Sequence, residues 1–120
     1  MRPSTLAIGF GVGRALVGIA ILAAPGPIAR AWVGADGTAT NVLTRSLGAR
    51  DFVIGDGLAL AAARDRDPTA WLVGGVLADA VDGIGTLAGG DAIPSNGRVA
   101  TTALAGGSAL FGAWLASAID

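Results

Sequence analysis

Cysteine and histidine are both missing from this chain, and so are lysine, glutamate and tyrosine. Without thiols or imidazoles there is no zinc-type metal site, no disulfide, no cysteine nucleophile and no Ser-His-Asp triad. Every basic residue is arginine and every acidic residue aspartate, eight against nine, for a formal net charge of −1. That one-sided choice reads as codon bias, and no chemistry is attached to it. The arginines form no stripe that could grip a phosphate backbone, so nucleic acid is not an expected partner. Neither a cofactor nor a metal is expected. Charge is scarce altogether. Charged residues are 14% of the chain, against about a quarter in ordinary soluble domains.

What fills the space is apolar. Hydrophobic residues make up 52% of the 120 positions, and the mean hydropathy is +0.65. Four apolar stretches, residues 4–24, 41–63, 68–89 and 98–119, are separated by turn-forming residues. Pro25-Gly26-Pro27 ends the first, Arg64-Asp65-Arg66 closes the second, and Asp67-Pro68 opens the third as cap and first helical residue. Gly90 to Gly97 reads as loop. Each stretch is about 20 residues, enough to cross ~30 Å of hydrocarbon at ~1.5 Å per residue. A soluble bundle needs a polar stripe on every helix, whereas the segment from Val99 to Ile119 has no charge at all. The first stretch, with Arg14 in mid-run, is too long for a signal-peptide core and reads as a span. The fold expected is all-α, a four-helix transmembrane bundle of up-down topology forming one integral membrane domain over residues 1–120.

The connection after the first span is the longest. Its Ile28, Trp32 and Val33 share a helical face, which predicts a short interfacial helix anchored by Trp32. Trp71 and Trp114 lie near segment ends, as an aromatic belt requires. Small-xxx-small spacings at Gly9/Gly13 and Gly85/Gly89 predict close helix contacts. Arg2, Arg64 and Arg66 fall on one side of the bundle and Arg30 and Arg98 on the other, with Arg45 near a segment end. This distribution is read as both termini in the cytoplasm, in a bacterial cytoplasmic membrane.

The depth of the charges carries the most information. Arg14 is central in the first span, Arg50 and Asp51 in the second, and Asp79 in the third, with Asp82 a turn further. A lone charge at that depth costs about 2.5–3.5 kcal/mol on insertion scales. Facing one another, two arginines and three aspartates can pair through the guanidinium fork. Asp79 and Asp82 share a face with Thr86; Arg50 and Asp51 diverge by about 100° and are expected to meet different neighbours. Asp56 lies on a further side of the second span. The fourth span, with Thr101, Thr102 and Ser108 as the polar side chains between its ends, is expected to close the bundle.

Three functional readings follow. In the leading one, an apolar molecule dissolved in the bilayer, an isoprenoid or polyketide, is bound and undergoes acid–base chemistry such as cyclisation or isomerisation. Asp79 and Asp82 are then acid and base and Asp51 orients Arg50; Arg14, Arg50, Asp56 and Thr86 bind the substrate. In the second, the chain is a structural or accessory subunit whose ion pairs fix helix register. The third is a proton-coupled transporter working as a homo-oligomer. Partners are accordingly membrane lipids, an apolar small molecule, or further copies of the chain.

Two known patterns fail on inspection. Asp79-Ala80-Val81-Asp82-Gly83 looks like the opening of the CDP-alcohol phosphotransferase signature, but Ile84-Gly85-Thr86-Leu87 breaks it and no spaced aspartates follow. The size is similar to that of small multidrug transporters, but Arg14 stands at the depth of their essential glutamate. By contrast, Gly48-Ala49-Arg50-Asp51 followed by Gly55, within the stretch Arg45 to Leu58, resembles the second helix of a family of small four-helix membrane proteins of bacteria and fungi. There the Gly-x-Arg-Asp motif is joined by an aspartate in the third helix. The resemblance implies the four-helix topology; the family is a domain of unknown function and implies no activity.

Overall fold

The computed structural model describes residues 1–119, which form five α-helices and, among the described residues, no strand. They are α1 Pro3–Ala23, α2 Pro25–Val33, α3 Thr38–Ala63, α4 Thr69–Gly89 and α5 Ser95–Ala118, with a single 3-10 turn at Gly90–Ala92 before α5. The long helices begin one to three residues away from the expected span edges. Asp120, included in the expected single domain, lies outside the described residues.

Each boundary has a local cause. Ala24, at φ −138° and ψ 63°, breaks α1, and Pro25 then starts α2 at once because a first helical residue needs no N–H partner. The Pro25-Gly26-Pro27 stop is therefore also a start. Gly34 ends α2 in the left-handed conformation, its N–H donating to the Arg30 carbonyl at 3.1 Å. At the end of α3 the same device uses Asp65, with φ 53°. The Arg66 N–H returns to the Ala61 carbonyl at 2.8 Å and the Asp65 N–H to Ala62 at 3.4 Å, closing a Schellman motif. Asp67 lies one residue ahead of the N-cap position expected for it, because α4 starts at Thr69 and its N-cap residue is Pro68. The Asp67 carboxylate accepts from the Thr69 N–H at 3.0 Å and the Thr69 hydroxyl at 2.6 Å, which holds it below the usual carboxylate range.

The helices pack as two antiparallel pairs. In the tighter pair, Gly11 of α1 faces Gly55 of α3, and Gly18 faces Gly48. A Cβ on Gly11 would lie 2.6 Å from the Gly55 carbonyl oxygen, and one on Gly18 would lie 2.5 Å from that of Gly48. The backbones themselves touch. The expected Gly9/Gly13 and Gly85/Gly89 contacts are not formed. A Cβ on Gly9, Gly13 or Gly85 would meet nothing within 4 Å, and Gly89 faces only Ile93 of its own loop. In the second pair, Gly83 of α4 faces Ala105 of α5, and Gly112 faces Val76. Helix α3 joins the pairs through α4, where the Trp71 ring lies against Gly57. Helices α1 and α5 hardly touch, leaving the assembly open along that side.

Large side chains are distributed inside out. A small core of Ala7, Leu58, Ala62, Leu72 and Leu115 sits at the end where α1 begins. Leu16, Leu43, Leu77, Ile84 and Leu110 meanwhile stand on the outside, each at least 60% exposed. Three helical stretches, α1, α4 with its 3-10 turn, and α5, are long and apolar enough to cross a membrane. Helix α3 is the longest at 26 residues but is not among them, because it carries Arg45, Arg50, Asp51 and Asp56.

Candidate functional site

The charges expected at a common depth do meet. Arg14 donates from Nη1 to Asp79 Oδ1 at 3.0 Å and from Nη2 to Asp79 Oδ2, a two-pronged contact between α1 and α4. Arg50 does the same to Asp82, at 3.0 and 2.6 Å, between α3 and α4. Asp51 lies between them: its Oδ1 accepts from Arg14 Nη1 and Arg50 Nη2, each at 3.3 Å. Five side chains thus form one unbroken alternating row, Asp79–Arg14–Asp51–Arg50–Asp82. Arg50 and Asp51 meet different neighbours, as their angular separation requires, and also each other. The row holds the side chain of Arg14 at 7% exposure and that of Asp79 at 9%. Mutual pairing offsets the cost of burying them.

The three carboxylates are not equivalent. Both oxygens of Asp79 and both of Asp82 are taken by a guanidinium. Asp51 spends one oxygen on two guanidinia, and its Oδ2 accepts no hydrogen bond among the described residues. With two arginines against three aspartates, the row carries one formal negative charge more than positive.

Against this row lies a cavity of about 770 Å³. Its near wall is α1, with Gly13 and Val17; its far wall is α5, with Thr101, Leu104 and Ser108; Arg14, Asp51, Asp79 and Asp82 form its polar floor. Ile28, Ala31 and Trp32 of α2 roof it at one end. Phe10 bounds the other end, its ring 5.6 Å below the Arg14 guanidinium carbon and edge-on to Phe111 at 5.0 Å. A volume of this size falls in the range of small-molecule sites. Helix α5, expected to close the bundle, instead stands off α1 and forms one side of this space. Gly9 and Gly13 line it, which is why they pack against nothing.

The roof is held in place by two contacts. Trp32 Nε1 donates to Thr86 Oγ1 at 3.0 Å, and Thr86 donates on to the Asp82 carbonyl at 2.6 Å. Gly97 at the start of α5 lets the Ala31–Trp32 backbone approach so closely that any Cβ there would overlap its carbonyls. Thr86, expected as a substrate-binding residue, is buried and borders the small groove on the other side of Trp32 rather than the main cavity. Asp56, also expected at the site, is exposed on α3 and takes no part in the row or the cavity. Five residues beyond Asp51, it points some 140° away around the helix.

The remaining expected residues, Arg14, Arg50, Asp51, Asp79 and Asp82, are brought together. Phe10, Trp32 and Ser108 join them without having been expected there. The Gly-x-Arg-Asp segment now has a physical account: Gly48 and Gly55 make the seam with α1, and Arg50 and Asp51 make the middle of the row. Compared with known proteins, the chain matches no family model, no curated protein and no solved structure.

Proposed function

We propose that the chain is an integral membrane protein that takes up an apolar molecule from the bilayer and acts on it by acid–base chemistry, as in a cyclisation or isomerisation. The cavity under α2 is its binding site. The four long helices are its spans, α2 lies at the membrane interface, and both termini face the cytoplasm of a bacterial cell. The outward leucines and valines support embedding, because such a surface has no favourable contact with water. The charged row supports it too, since charges at one depth on three helices are what a bilayer interior forces to meet. The resemblance at Gly48-Ala49-Arg50-Asp51 and Gly55 supports the same topology.

One observation carries the ligand reading: apolar walls enclosing some 770 Å³ end on a floor of paired carboxylates. A proton donor or acceptor in a dry cavity needs little else to move a double bond or start a ring closure. Among the three aspartates, Asp51 has the free oxygen and is the group that can exchange a proton with a ligand; Asp79 and Asp82 hold the guanidinia that flank it.

The scaffold reading also has an observation in its favour, since every carboxylate of the row engages an arginine. Filling the cavity separates the two. Gly13→Leu adds bulk to the cavity wall without touching the row or the α1–α3 seam. Wild-type protein in nanodiscs is expected to bind a fluorescent polyene saturably, and G13L to bind it at least tenfold more weakly with a melting temperature no lower than that of the wild type. Equal binding by both, or none by the wild type, removes the ligand reading and leaves the scaffold.

A further inference from the structure

The cavity carries charge at one place only, and that place is the wrong one for an ordinary lipid. Helix α1 passes from Phe10, at the bottom, through Arg14 to Ile21 beneath the roof. The rise per residue puts Ile21 about 10 Å above Arg14. On α5 the cavity runs from Ser108, beside the row, up to Gly97 against the α2 backbone. The charged row therefore lies near the lower end of the cavity and midway along the helices, while Val17, Leu104, Ile21, Ile28 and Trp32 line the way to the roof. A glycerophospholipid keeps its headgroup at the membrane surface and cannot bring it to this floor without burying a charged phosphate in hydrocarbon.

The floor also selects by charge and by hydrogen-bond sense. Asp51, which lines it, has an oxygen that accepts no hydrogen bond among the described residues, and the row has one negative charge in excess. Ser108, on the facing wall beside the row, adds a hydroxyl that can accept or donate, and Thr101 adds one about 10 Å nearer the roof. An anionic head would meet repulsion at Asp51; a hydroxyl or ammonium would meet an acceptor.

Building on the proposed binding site, we infer that its ligand is a single-chain amphiphile with a small hydrogen-bond-donating head, an alcohol or an amine, bound head-down. The head sits on Asp51 at mid-membrane and the tail points to Trp32. This orientation is inverted relative to a lipid in the leaflet on the α2 side, and lateral entry through the open α1–α5 side permits it.

Trp32 makes the orientation measurable. In the W71F/W114F variant, Trp32 is the sole tryptophan, and bromine on an alkyl chain quenches it only at short range. Dodecanol carrying bromine on its terminal carbon is expected to quench Trp32 at least threefold more strongly than dodecanol brominated beside the hydroxyl. Competition by unlabelled dodecanol, dodecylamine and dodecanoate ranks the heads, with dodecanoate at least tenfold weaker, and Asp51→Asn is expected to erase that preference. If dodecanoate competes equally, or if the bromine beside the hydroxyl quenches more, the head-down donor is wrong although a binding site exists. If no dodecyl compound binds and G13L behaves as wild type, the site itself is absent.

Discussion

Arg50 and Asp82 meet fork to fork across α3 and α4, two guanidinium nitrogens on two carboxylate oxygens at 3.0 and 2.6 Å. Arg14 and Asp79 repeat the arrangement across α1 and α4, so α4 is tied to both helices of the other pair by the same kind of contact. These forks, the Trp71–Gly57 contact, the small core and the packing of α2 on α5 and Thr86 together hold the two pairs against each other.

Breaking one fork is expected to cost more than removing it. Arg50→Gln leaves Asp82 without its guanidinium, and Asp82→Asn leaves the part-buried Arg50 with only its 3.3 Å contact to Asp51, a loss of about 1–3 kcal/mol in either case. The double variant Arg50→Met/Asp82→Leu strands neither group and is expected to lose far less than either single change. Denaturant titration in detergent micelles compares the three; equal losses would mean that the pairing contributes nothing.

The glycines divide into two classes that substitution separates. Gly18→Ala puts a Cβ 2.5 Å from a carbonyl oxygen and from the Phe52 nitrogen, both backbone atoms that cannot yield. It is expected to lower the melting temperature sharply by forcing α1 from α3. Gly9→Ala meets open space and should instead gain about 0.5–1 kcal/mol from reduced chain entropy. Thermal unfolding followed by circular dichroism reads both, and a harmless Gly18→Ala would contradict the seam.

Trp32→Phe removes one hydrogen bond from the roof and keeps its apolar bulk. A loss of about 0.5–1.5 kcal/mol is expected, confined to α2. Amide exchange in residues 25–33 should speed up while that of α1 and α3 stays unchanged. Thr86→Val should reproduce the effect; exchange altered throughout the molecule would show that the roof is not a local unit.

Asp67, in the loop before α4, gives a pH dependence of known sign. Its folded pKa is depressed by the Thr69 hydroxyl and N–H. The stability it contributes is therefore complete above the ordinary carboxylate value, about 3.9, and is lost as pH falls through the lower folded value. The melting-temperature difference between wild type and Asp67→Ala is expected to be constant near neutrality and to shrink below about pH 4. A difference that grows on acidification would refute the Asp67–Thr69 contact.

Because the chain has no cysteine of its own, single cysteines report topology cleanly. Ala35→Cys, between α2 and α3, and Ala63→Cys, at the end of α3, are both exposed. A membrane-impermeant maleimide should reach them from opposite faces of sealed vesicles if α3 spans with the rest. Labelling of both from one face would make α3 a surface helix and overturn the four-span reading.

How far these features could be read from the residues alone follows from their physics. The row was legible because Arg14, Arg50, Asp51 and Asp79 share one depth, and hydrocarbon leaves charges few alternatives to one another. The short helix at Ile28 and Trp32 was legible from its apolar face and the prolines before it. The α1–α3 seam was not read, although Gly11/Gly18 and Gly48/Gly55 carry matching seven-residue spacings. In a chain with 20 glycines, spacing on one helix does not reveal which face has a partner, so Gly9/Gly13 looked equally good. Trp32 with Thr86, 54 residues apart, depends on where α2 comes to rest, which no local pattern encodes. The cavity is a space between helices and leaves no signature in any one of them.

Ala24 is the one residue between the end of α1 and the start of α2. A joint this short transmits rotation instead of absorbing it. Each residue added to or removed from α2 ahead of Trp32 would turn the indole by about 100°, away from its hydroxyl acceptor and out of the ceiling. The count of residues from Ala24 to Trp32 thus works like the length of a crank, and a single insertion or deletion there is a severer change than most substitutions.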